Sequence, residues 1–262
     1  MAKHVRKVAF ITGATRNTGI AIAQRFAREG FDVCVSSRDP AGAQRAASEL
    51  MAEFPFIRAA GYGMDPASVD SIRQAFAAIK TDFGRLDALV ANAAHLGVDL
   101  NIFNTTPEDY DAVMNSNARG YFFCCQEAAR IMVPQGGGTI VLIGSVHAKA
   151  AIPGRIVYSA SKGAILSMTH NLAIELGKYN IRCNCLIAGA IWSKRWEAQG
   201  EAETKRRRSQ YPVGRESSPE DIANSVYFLS SDQSLTITGT EFTVDSGIGI
   251  CLLPYDRKWD EK

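Results

Sequence analysis

The chain has 262 residues, 46% hydrophobic and 21% charged, a composition typical of a globular protein with a sizeable core. Its formal net charge of +2 favours neither nucleic acid nor an anionic membrane surface as a partner. No apolar run approaches the length of a membrane span, and the first residues lead into a short strand rather than a signal peptide. We therefore expect a cytoplasmic protein.

The six cysteines show no Cys-x-x-Cys spacing and lie mostly inside apolar segments. Cys183 and Cys185 alternate in a strand pattern, and no histidine lies close enough in sequence to complete a zinc site. We expect reduced, buried thiols and no bound metal.

The first predicted elements are a strand at 5–11, a glycine-bearing turn and a helix. In this setting backbone N–H groups and a helix N-terminus receive a pyrophosphate. Gly13 permits the tight turn, and Gly19 permits close packing of the helix on the strand. Asn17 takes the middle position, where glycine is common, and asparagine tolerates left-handed backbone. Alone, this fingerprint is weak, because any strand–turn–helix can carry two glycines.

The rest of the chain alternates strand and helix patterns. Strands are predicted at 32–37, 57–62, 86–91, 139–145, 181–187 and 240–244. Helices are predicted to end near 54 and 83, to open at Thr106-Pro107, and to cover about 118–133, 157–179 and 219–230. This alternation predicts an α/β Rossmann fold, a doubly wound parallel sheet of about seven strands flanked by helices. No repeat or linker interrupts it, so we predict a single domain over 1–262.

A tyrosine and a lysine near the start of the 157–179 helix are the main candidates for chemistry. Tyr158 and Lys162 are four residues apart and therefore share one helix face. A free tyrosine has a pKa near ~10, and a neighbouring ammonium group favours the phenolate, which makes the tyrosine a usable acid/base. Ser145 supplies a hydroxyl where a strand ends. Alone, Tyr-x-x-x-Lys is weak, and an exposed aromatic–cation pair is its more common explanation.

Together, these motifs resemble the short-chain dehydrogenase/reductase family over nearly the whole chain. The motifs, in order, are Thr12-Gly13 with Gly19, Asp65, Asn92-Ala93, Asn117, Ser145, and Tyr158 with Lys162. Their spacing matches as well, with 28 residues from Asn117 to Ser145 and 13 from Ser145 to Tyr158. The resemblance implies an oxidoreductase that transfers a hydride between a nicotinamide cofactor and a small-molecule carbonyl or secondary alcohol.

The resemblance also implies a role for each catalytic residue. Tyr158 would give a proton to the carbonyl oxygen, or take it from the alcohol, while Ser145 hydrogen-bonds the same oxygen. Lys162 would lower the pKa of the tyrosine and bind the nicotinamide ribose. Asn117 would hold the water of a proton relay.

The cofactor contacts implied by the resemblance are spread along the chain. They are Gly13, Thr15, Arg16, Asn17, Thr18, Gly19, Ile20, Ser37, Arg38, Met64, Asp65, Asn92, Ala93, Tyr158, Lys162, Gly189, Ile191 and Ser193. Asn92 would help hold the ribose and Asp65 would contact the adenine amino group. The chain departs from the family pattern at Ala188, where proline is usual, and at Ala94, where glycine is usual.

The end of the second strand predicts NADP(H) rather than NAD(H). NAD-preferring relatives often carry a carboxylate there, which accepts a hydrogen bond from the adenosine 2′-hydroxyl and repels a phosphate. Here the strand ends at Ser37 and Arg38 follows, with Arg16 in the glycine-bearing turn to bracket the phosphate. Asp39 is the counter-argument, because its distance from the turn suits a ribose-binding carboxylate. Asp39-Pro40 is, however, typical of a helix entry, where aspartate caps backbone N–H groups.

Four residues are candidates for the substrate pocket. His147 and Arg155 either contact a polar or anionic substrate or are solvent-exposed loop residues. Trp192 and Trp196 lie at about 190–214, a stretch that resembles the family's mobile substrate lid, where they would form an apolar wall. We interpret the basic run at 205–208 as a solvated helix face rather than a nucleic-acid site, because the chain is nearly neutral.

The resemblance further implies a homotetramer. The helices at about 118–133 and 157–179 carry more apolar residues than one core can cover, among them Phe122, Phe123, Ile165 and Met168. A two-fold interface would bury this surplus. The tail at about 250–262 would pack on a neighbouring subunit near the active site.

Two other functions stay open. One is an NAD-dependent sugar or polyol dehydrogenase on the same scaffold, and the other is a dinucleotide-binding regulatory protein without catalysis. The complete set Asn117, Ser145, Tyr158 and Lys162 argues against the regulatory protein, because a sensor has no need of a proton relay. Fold and motif do not identify the substrate, since this fold hosts many.

Overall fold

A computed structural model describes residues 6–251. Seven strands form one sheet in the order β3-β2-β1-β4-β5-β6-β7, and every neighbouring pair is parallel. The strands are β1 (Val8–Ile11), β2 (Asp32–Ser37), β3 (Ala59–Gly63), β4 (Ala88–Ala91), β5 (Gly138–Ile143), β6 (Ile181–Ala188) and β7 (Glu241–Val244). The predicted fold class is confirmed. Because the strand order reverses between β1 and β4, their carboxyl ends form the crevice in which such sheets bind ligands.

Eight α-helices accompany the sheet in the described part of the chain. They are α1 (Asn17–Arg28), α2 (Pro40–Glu53), α3 (Val69–Phe83), α4 (Pro107–Met114), α5 (Gly120–Gln135), α6 (Ile156–Gly177), α7 (Glu201–Arg208) and α8 (Pro219–Ser230). Helices α1, α2 and α8 pack on one face of the sheet, and α3, α5 and α6 pack on the other. The central strands β1 and β4 therefore contribute side chains to two cores: Phe10 and Leu89 face one, and Ile11 and Val90 face the other. This two-sided burial explains why the strands read as continuous apolar runs.

The starts of two helices follow directly from sequence signals. Thr106 caps α4 by accepting a hydrogen bond from the backbone of Asp109, as the Thr106-Pro107 pattern predicted. Ser218 caps α8 in the same way: its hydroxyl accepts from Asp221 N at 3.1 Å, and the Asp221 carboxylate accepts from Ser218 N at 2.7 Å. These reciprocal bonds satisfy backbone donors that a helix start leaves free.

Most of the cysteines lie in the core between the sheet and helices α3, α5 and α6. Five of the six are buried, and burial raises the pKa of Cys124 to about 12, so these thiols stay protonated and inert. Residues 6–251 bring no three His, Cys, Asp or Glu side chains into an arrangement that could hold a metal. Between the same limits, no helix has both the length and the apolar character needed to span a bilayer.

Candidate active site

A cavity of about 490 Å³ lies at the carboxyl ends of β1, β2 and β4. It is lined by Gly13, Thr15, Arg16, Asn17, Thr18, Gly19, Ser37, Arg38, Asp39, Met64, Pro66, Asn92, Ala93, Ala94, His95, Leu96 and Ser116. Most of the expected cofactor residues therefore meet at one place. Sequence reasoning missed His95, Leu96 and Ser116, which reach the cavity only through the path of the chain after β4 and α4.

The glycine-bearing turn has no room for larger side chains. Gly13 has φ +65°, and a Cβ there would lie 2.9 Å from the Cα of Ala93. A Cβ on Gly19 would lie 2.5 Å from the carbonyl oxygen of Gly13. Asn17 adopts φ 49°, the left-handed backbone expected of it. The turn thus presents the N-terminus of α1 to the cavity with its backbone uncovered.

Hydrogen bonds between β1 and β4 hold this turn in place. The Thr12 hydroxyl accepts from the backbone N–H groups of Asn92 at 2.9 Å and Ala93 at 3.0 Å. The Asn92 amide in turn donates to the carbonyl oxygens of Thr12 at 2.9 Å and Gly13 at 3.2 Å. The amide N–H groups of Asn92 are therefore used within the protein. Its side chain shapes the cavity floor.

The end of β2 places two guanidinium groups at the cavity. Arg16 and Arg38 are exposed, and neither forms an ion pair with an acidic side chain of residues 6–251. Asp39 also borders the cavity, but its carboxylate accepts a hydrogen bond from Ala41 N at 3.1 Å and pairs with Arg45 at 3.3 Å. The capping role predicted for Asp39 is confirmed. Asp65 makes a similar local turn, accepting from Ala67 N at 3.0 Å.

Lys162 is buried in α6, four residues after Tyr158. Its Nζ donates to the carbonyl oxygen of Ile143 at 2.7 Å and lies 5.6 Å from the ring centre of Tyr158. The side chain is 1% exposed, and this burial lowers the pKa of Lys162 to about 8. The lysine is thus held close to the tyrosine, as the four-residue spacing predicted.

The pKa of Tyr158 moves in the direction opposite to the expected one. Burial raises it, while the hydrogen bond with Ser145 and the positive charge of Arg155 act to lower it. Burial dominates because the phenolate loses its solvation inside the cleft. The ammonium group of Lys162 donates to the carbonyl oxygen of Ile143 rather than to the phenol oxygen.

Asn117 lies in a π-helical segment, Asn115–Arg119, immediately before α5. Its Oδ1 accepts from His95 N at 2.8 Å, and its Nδ2 donates to His95 O at 3.0 Å and to Ser161 Oγ at 2.9 Å. Ser161 then donates to the carbonyl oxygen of Tyr158 at 2.7 Å. Both side-chain donors of Asn117 are therefore engaged with the protein, which favours a positioning role over direct capture of a water by its amide. Ser161 is a site residue that the sequence reasoning missed, although it lies inside the Tyr-x-x-x-Lys motif.

The two polar substrate candidates also come to this place. The His147 ring meets Tyr158 edge-on, with ring centres 5.6 Å apart and an interplanar angle of 77°. The backbone N–H of His147 donates to Ser145 Oγ at 3.3 Å. Arg155 donates through Nη1 to the carbonyl oxygen of Leu96 at 2.8 Å. The tertiary structure thus brings three residues close to Tyr158: Ser145, His147 and Arg155.

The segment after β6 runs along the same edge of the sheet. Gly189 N donates to Val244 O at 3.0 Å, and a Cβ at Gly189 would lie 2.7 Å from Asp245. Ile191 pairs with Ser217 in an isolated bridge, and Trp192 N donates to Ser217 O at 2.8 Å. Ser193 Oγ is buried without a hydrogen-bond partner among residues 6–251.

Charged and aromatic side chains of the predicted lid contact one another and the adjoining Glu216. The guanidinium of Arg207 lies 3.9 Å over the ring of Trp196, so one face of that ring is covered. Arg208 donates twice to the buried carboxylate of Glu216, at 3.0 and 3.1 Å. Arg206 pairs with Glu203 at 2.6 Å. The interpretation of 205–208 as a solvated helix face holds for Arg208, which is 44% exposed, but not for Arg207, which is 14% exposed; both side chains pair with the buried Glu216.

Comparison with known proteins agrees with this geometry. A family model described as enoyl-(acyl carrier protein) reductase matches residues 13–249. The 3alpha-hydroxysteroid dehydrogenase of Mediterraneibacter gnavus is 33% identical over 239 residues, covering 91% of this chain and 95% of that protein. A gluconate 5-dehydrogenase from Burkholderia cenocepacia, solved with NADP and tartrate, is 27% identical with TM-score 0.87 over 94% and 96% of the two chains. An NAD+-bound xylitol dehydrogenase is 27% identical with TM-score 0.85 over 94% and 100%.

The fold, the cavity and these relatives define a nicotinamide-dependent oxidoreductase that acts on CH–OH or carbonyl groups. The chain belongs to the short-chain dehydrogenase/reductase family. The family predicted from the sequence motifs is confirmed.

Proposed function

We propose that this protein interconverts a carbonyl compound and a secondary alcohol with NADP(H), using Tyr158 as the acid/base. The observation that carries the proposal is the convergence of Ser145, Tyr158 and Lys162, with Ser145 hydrogen-bonded to Tyr158 and the Lys162 ammonium 5.6 Å from its ring centre. The regulatory alternative needs no buried lysine beside a tyrosine, and the burial of Lys162 is costly without a function.

The residues present fit a nicotinamide dinucleotide. Gly13 and Gly19 allow the turn to pack closely against Ala93 and against itself, at the N-terminus of α1, where a pyrophosphate is favoured. The buried hydroxyl of Ser193 lacks a partner within residues 6–251 and is suited to donate to a phosphate oxygen. When bound, the nicotinamide supplies or accepts the hydride.

The chain's own residues orient the substrate and move the proton. Ser145 donates a hydrogen bond to the substrate oxygen and thereby fixes its position against Tyr158. During reduction Tyr158 transfers its phenolic proton to that oxygen as negative charge develops there, and during oxidation it takes the proton back. The cation of Lys162, held by the Ile143 carbonyl, stabilises the phenolate that forms. Asn117 and Ser161 hold the first turn of α6 in position for this transfer.

The preference for NADP(H) rests on Arg16 and Arg38, which border the cavity without acidic partners in residues 6–251. The relatives support either cofactor, since one is solved with NADP and another with NAD+. Asp39 would repel a 2′-phosphate if it were free, but its carboxylate is held by Ala41 N and Arg45. The attraction of a 2′-phosphate by the two guanidinium groups therefore exceeds its repulsion by Asp39.

We expect Arg38→Ala to lower kcat/KM for NADPH by about 10- to 100-fold, because a charge-assisted pair with the phosphate is lost. The value for NADH should change by less than about twofold, since NADH lacks that phosphate. Ser37→Asp should lower the NADPH value further by repulsion. Steady-state rates with both cofactors test this, with Arg28→Ala, an exposed arginine at the far end of α1, as the control. Equal or better efficiency of the wild type with NADH would refute the assignment and favour the NAD-dependent alternative.

We also propose that the chain assembles as a homotetramer through the exposed face of α5 and α6. The apolar surplus named from the sequence is corrected in part: Ile165 is fully buried in the chain's own core, and Phe123 and Met168 pack against that core. Phe122 is exposed, and so is Ile174, at 82%. A groove of about 450 Å³ between the two helices is lined by Phe122, Val133, Leu172, Leu176 and Tyr179, among others. The tail beyond residue 251, expected to reach a neighbouring subunit, lies outside the described residues.

An acidic substitution in this face is expected to break the assembly. Sedimentation of the wild type should give four times the chain mass at micromolar concentration, and Ile174→Asp should give a smaller species, because a charge cannot be buried in an apolar interface. Leu235→Asp, at an exposed apolar residue elsewhere, is the matched control and should leave the mass unchanged. A monomeric wild type would overturn the proposed assembly.

A further inference from the structure

The substrate side of the site carries a guanidinium group with spare donors. Arg155 lies just before α6, three residues ahead of Tyr158. Within residues 6–251 its guanidinium makes one hydrogen bond, from Nη1 to Leu96 O at 2.8 Å. A guanidinium has five N–H donors, so four remain available. That bond holds it at the loop after β4. In the same loop, a Cβ on Gly97 would lie 3.8 Å from the Cβ of Tyr158. Arg155 is therefore fixed near the catalytic tyrosine.

No described acidic side chain neutralises this arginine. Arg155 forms no ion pair with any Asp or Glu of residues 6–251. Asp99 lies against Gly154, the residue before Arg155, with Oδ1 3.8 Å from the position of a Cβ there. It is an exposed residue and stays outside ion-pair distance of Arg155. The positive charge at the site thus lacks a counter-charge from this part of the protein.

The histidine beside it is suited to share an anionic ligand. Burial and the charge of Arg155 lower the pKa of His147, so its imidazole is neutral at pH 7. Its Nδ1 is buried without a hydrogen-bond partner among residues 6–251. A neutral imidazole can turn a single N–H toward a carboxylate oxygen. Buried polar atoms rarely stay unpaired, so this one points to a ligand.

The rim around these two residues is apolar. Leu96, Ile152 and Ile156 are 43%, 55% and 49% exposed, and the chain pairs here through a bridge between Leu100 and Arg155. These apolar side chains offer few partners for the many hydroxyl groups of a sugar or polyol. The site is therefore better matched to a molecule with one anionic end and an aliphatic body.

Building on the proposed function, we propose that the substrate is an oxo acid or its hydroxy acid, whose carboxylate binds Arg155 and His147 while its carbonyl oxygen lies at Ser145 and Tyr158. The planar fork of the guanidinium pairs with both oxygens of a carboxylate. The spacing between carboxylate and reacting carbon then selects among 2-, 3- and 4-oxo acids.

The first test compares acids with their uncharged esters. Pyruvate, acetoacetate and levulinate are each assayed beside their methyl esters, with wild type, Arg155→Met and Arg155→Lys. We expect one acid to exceed its ester in kcat/KM by about 10- to 100-fold, as for other charge-assisted pairs. Arg155→Met should abolish that preference by lowering the value for the acid far more than the value for its ester, and Arg155→Lys should restore part of the preference. Esters used as well as acids by the wild type, or a preference that survives Arg155→Met, would overturn the inference.

A binding measurement separates this inference from the proposed chemistry. Calorimetry with butyrate and butyramide requires no turnover, and is run on wild type with NADP+, on Arg155→Met and on Arg58→Met. Arg58 is the matched control, because it also donates to a backbone carbonyl, Asp82 O at 2.7 Å, but at the opposite edge of the sheet. Butyrate should bind the wild type and Arg58→Met at least 10-fold more tightly than Arg155→Met, and butyramide should show no such difference.

Absence of this difference in butyrate affinity overturns the carboxylate site even if carbonyl compounds are reduced. The difference without any carbonyl turnover would leave the carboxylate site standing and refute the proposed reaction.

Discussion

Replacing Tyr158 by phenylalanine is expected to lower kcat/KM for carbonyl reduction by roughly 10²- to 10⁴-fold, the usual contribution of a positioned acid/base. The change removes one hydroxyl from a half-buried ring and leaves its edge contact with His147 in place. Affinity for NADPH should stay within about twofold, because the cavity floor at Gly13 and Asn92 is unchanged. Initial rates and a fluorescence titration of NADPH measure the two quantities separately.

A second tyrosine beside the same lysine provides the control. Tyr121 is buried, its hydroxyl lies 3.5 Å from Ile143 O, and Lys162 Nζ lies 5.2 Å from its ring centre. Tyr121→Phe removes a comparable hydroxyl that does not meet the substrate, and should keep activity within a few-fold of wild type. If Tyr158→Phe kept most of its activity, or Tyr121→Phe lost as much, Tyr158 would not be the proton donor.

Replacing Lys162 by methionine is expected to make the protein more stable and almost inactive. Burial lowers the pKa of Lys162 from 10.5 to about 8, and at pH 7 this corresponds to a cost of about 3 kcal/mol for holding the charge inside. Methionine removes that cost but leaves Ile143 O without its donor, which costs about 1–3 kcal/mol. The net expectation is a gain of about 0–2 kcal/mol in the free energy of unfolding, together with a loss of roughly 10²- to 10³-fold in kcat/KM.

The pH dependence of this gain has a definite sign. Below pH about 8 the lysine is charged in both folded and unfolded chains, so the destabilisation is complete. As pH rises from about 8 to 10.5, the folded form is already neutral while the unfolded form loses its proton, and the destabilisation disappears. Urea unfolding at pH 7 and pH 10 should therefore show the advantage of Lys162→Met shrinking at the higher pH. Lys80→Met, at an exposed lysine near the end of α3, should show no such trend. A less stable Lys162→Met protein at pH 7 would contradict this account of the buried charge.

Local signals in the sequence determined the fold class, the family and most of the cofactor cavity. Strands buried on both faces must be continuously apolar, so their alternation with helices predicts a doubly wound sheet without knowledge of any long-range contact. The left-handed backbone at Gly13 and Asn17 and the close packing at Gly19 are tolerated by only a few residue types. In the same way, Asp39-Pro40 indicates the start of a helix. Such constraints act within a few residues, so they can be recognised in the sequence.

Only the tertiary structure decided the pKa shifts of the site residues and their hydrogen-bond and ion-pair partners. Nothing in the sequence indicates that Lys162 donates to Ile143 or that Arg208 pairs with Glu216. The π-helical segment that contains Asn117 has no sequence signal either. The pKa of Tyr158 depends on how much solvent its ring loses, and whether Ile165 faces its own core or a neighbour depends on helix rotation. Burial and electrostatics sum over every element packed around a group. They are fixed when the sheet and helices come together, and so they lie beyond the reach of spacing and composition.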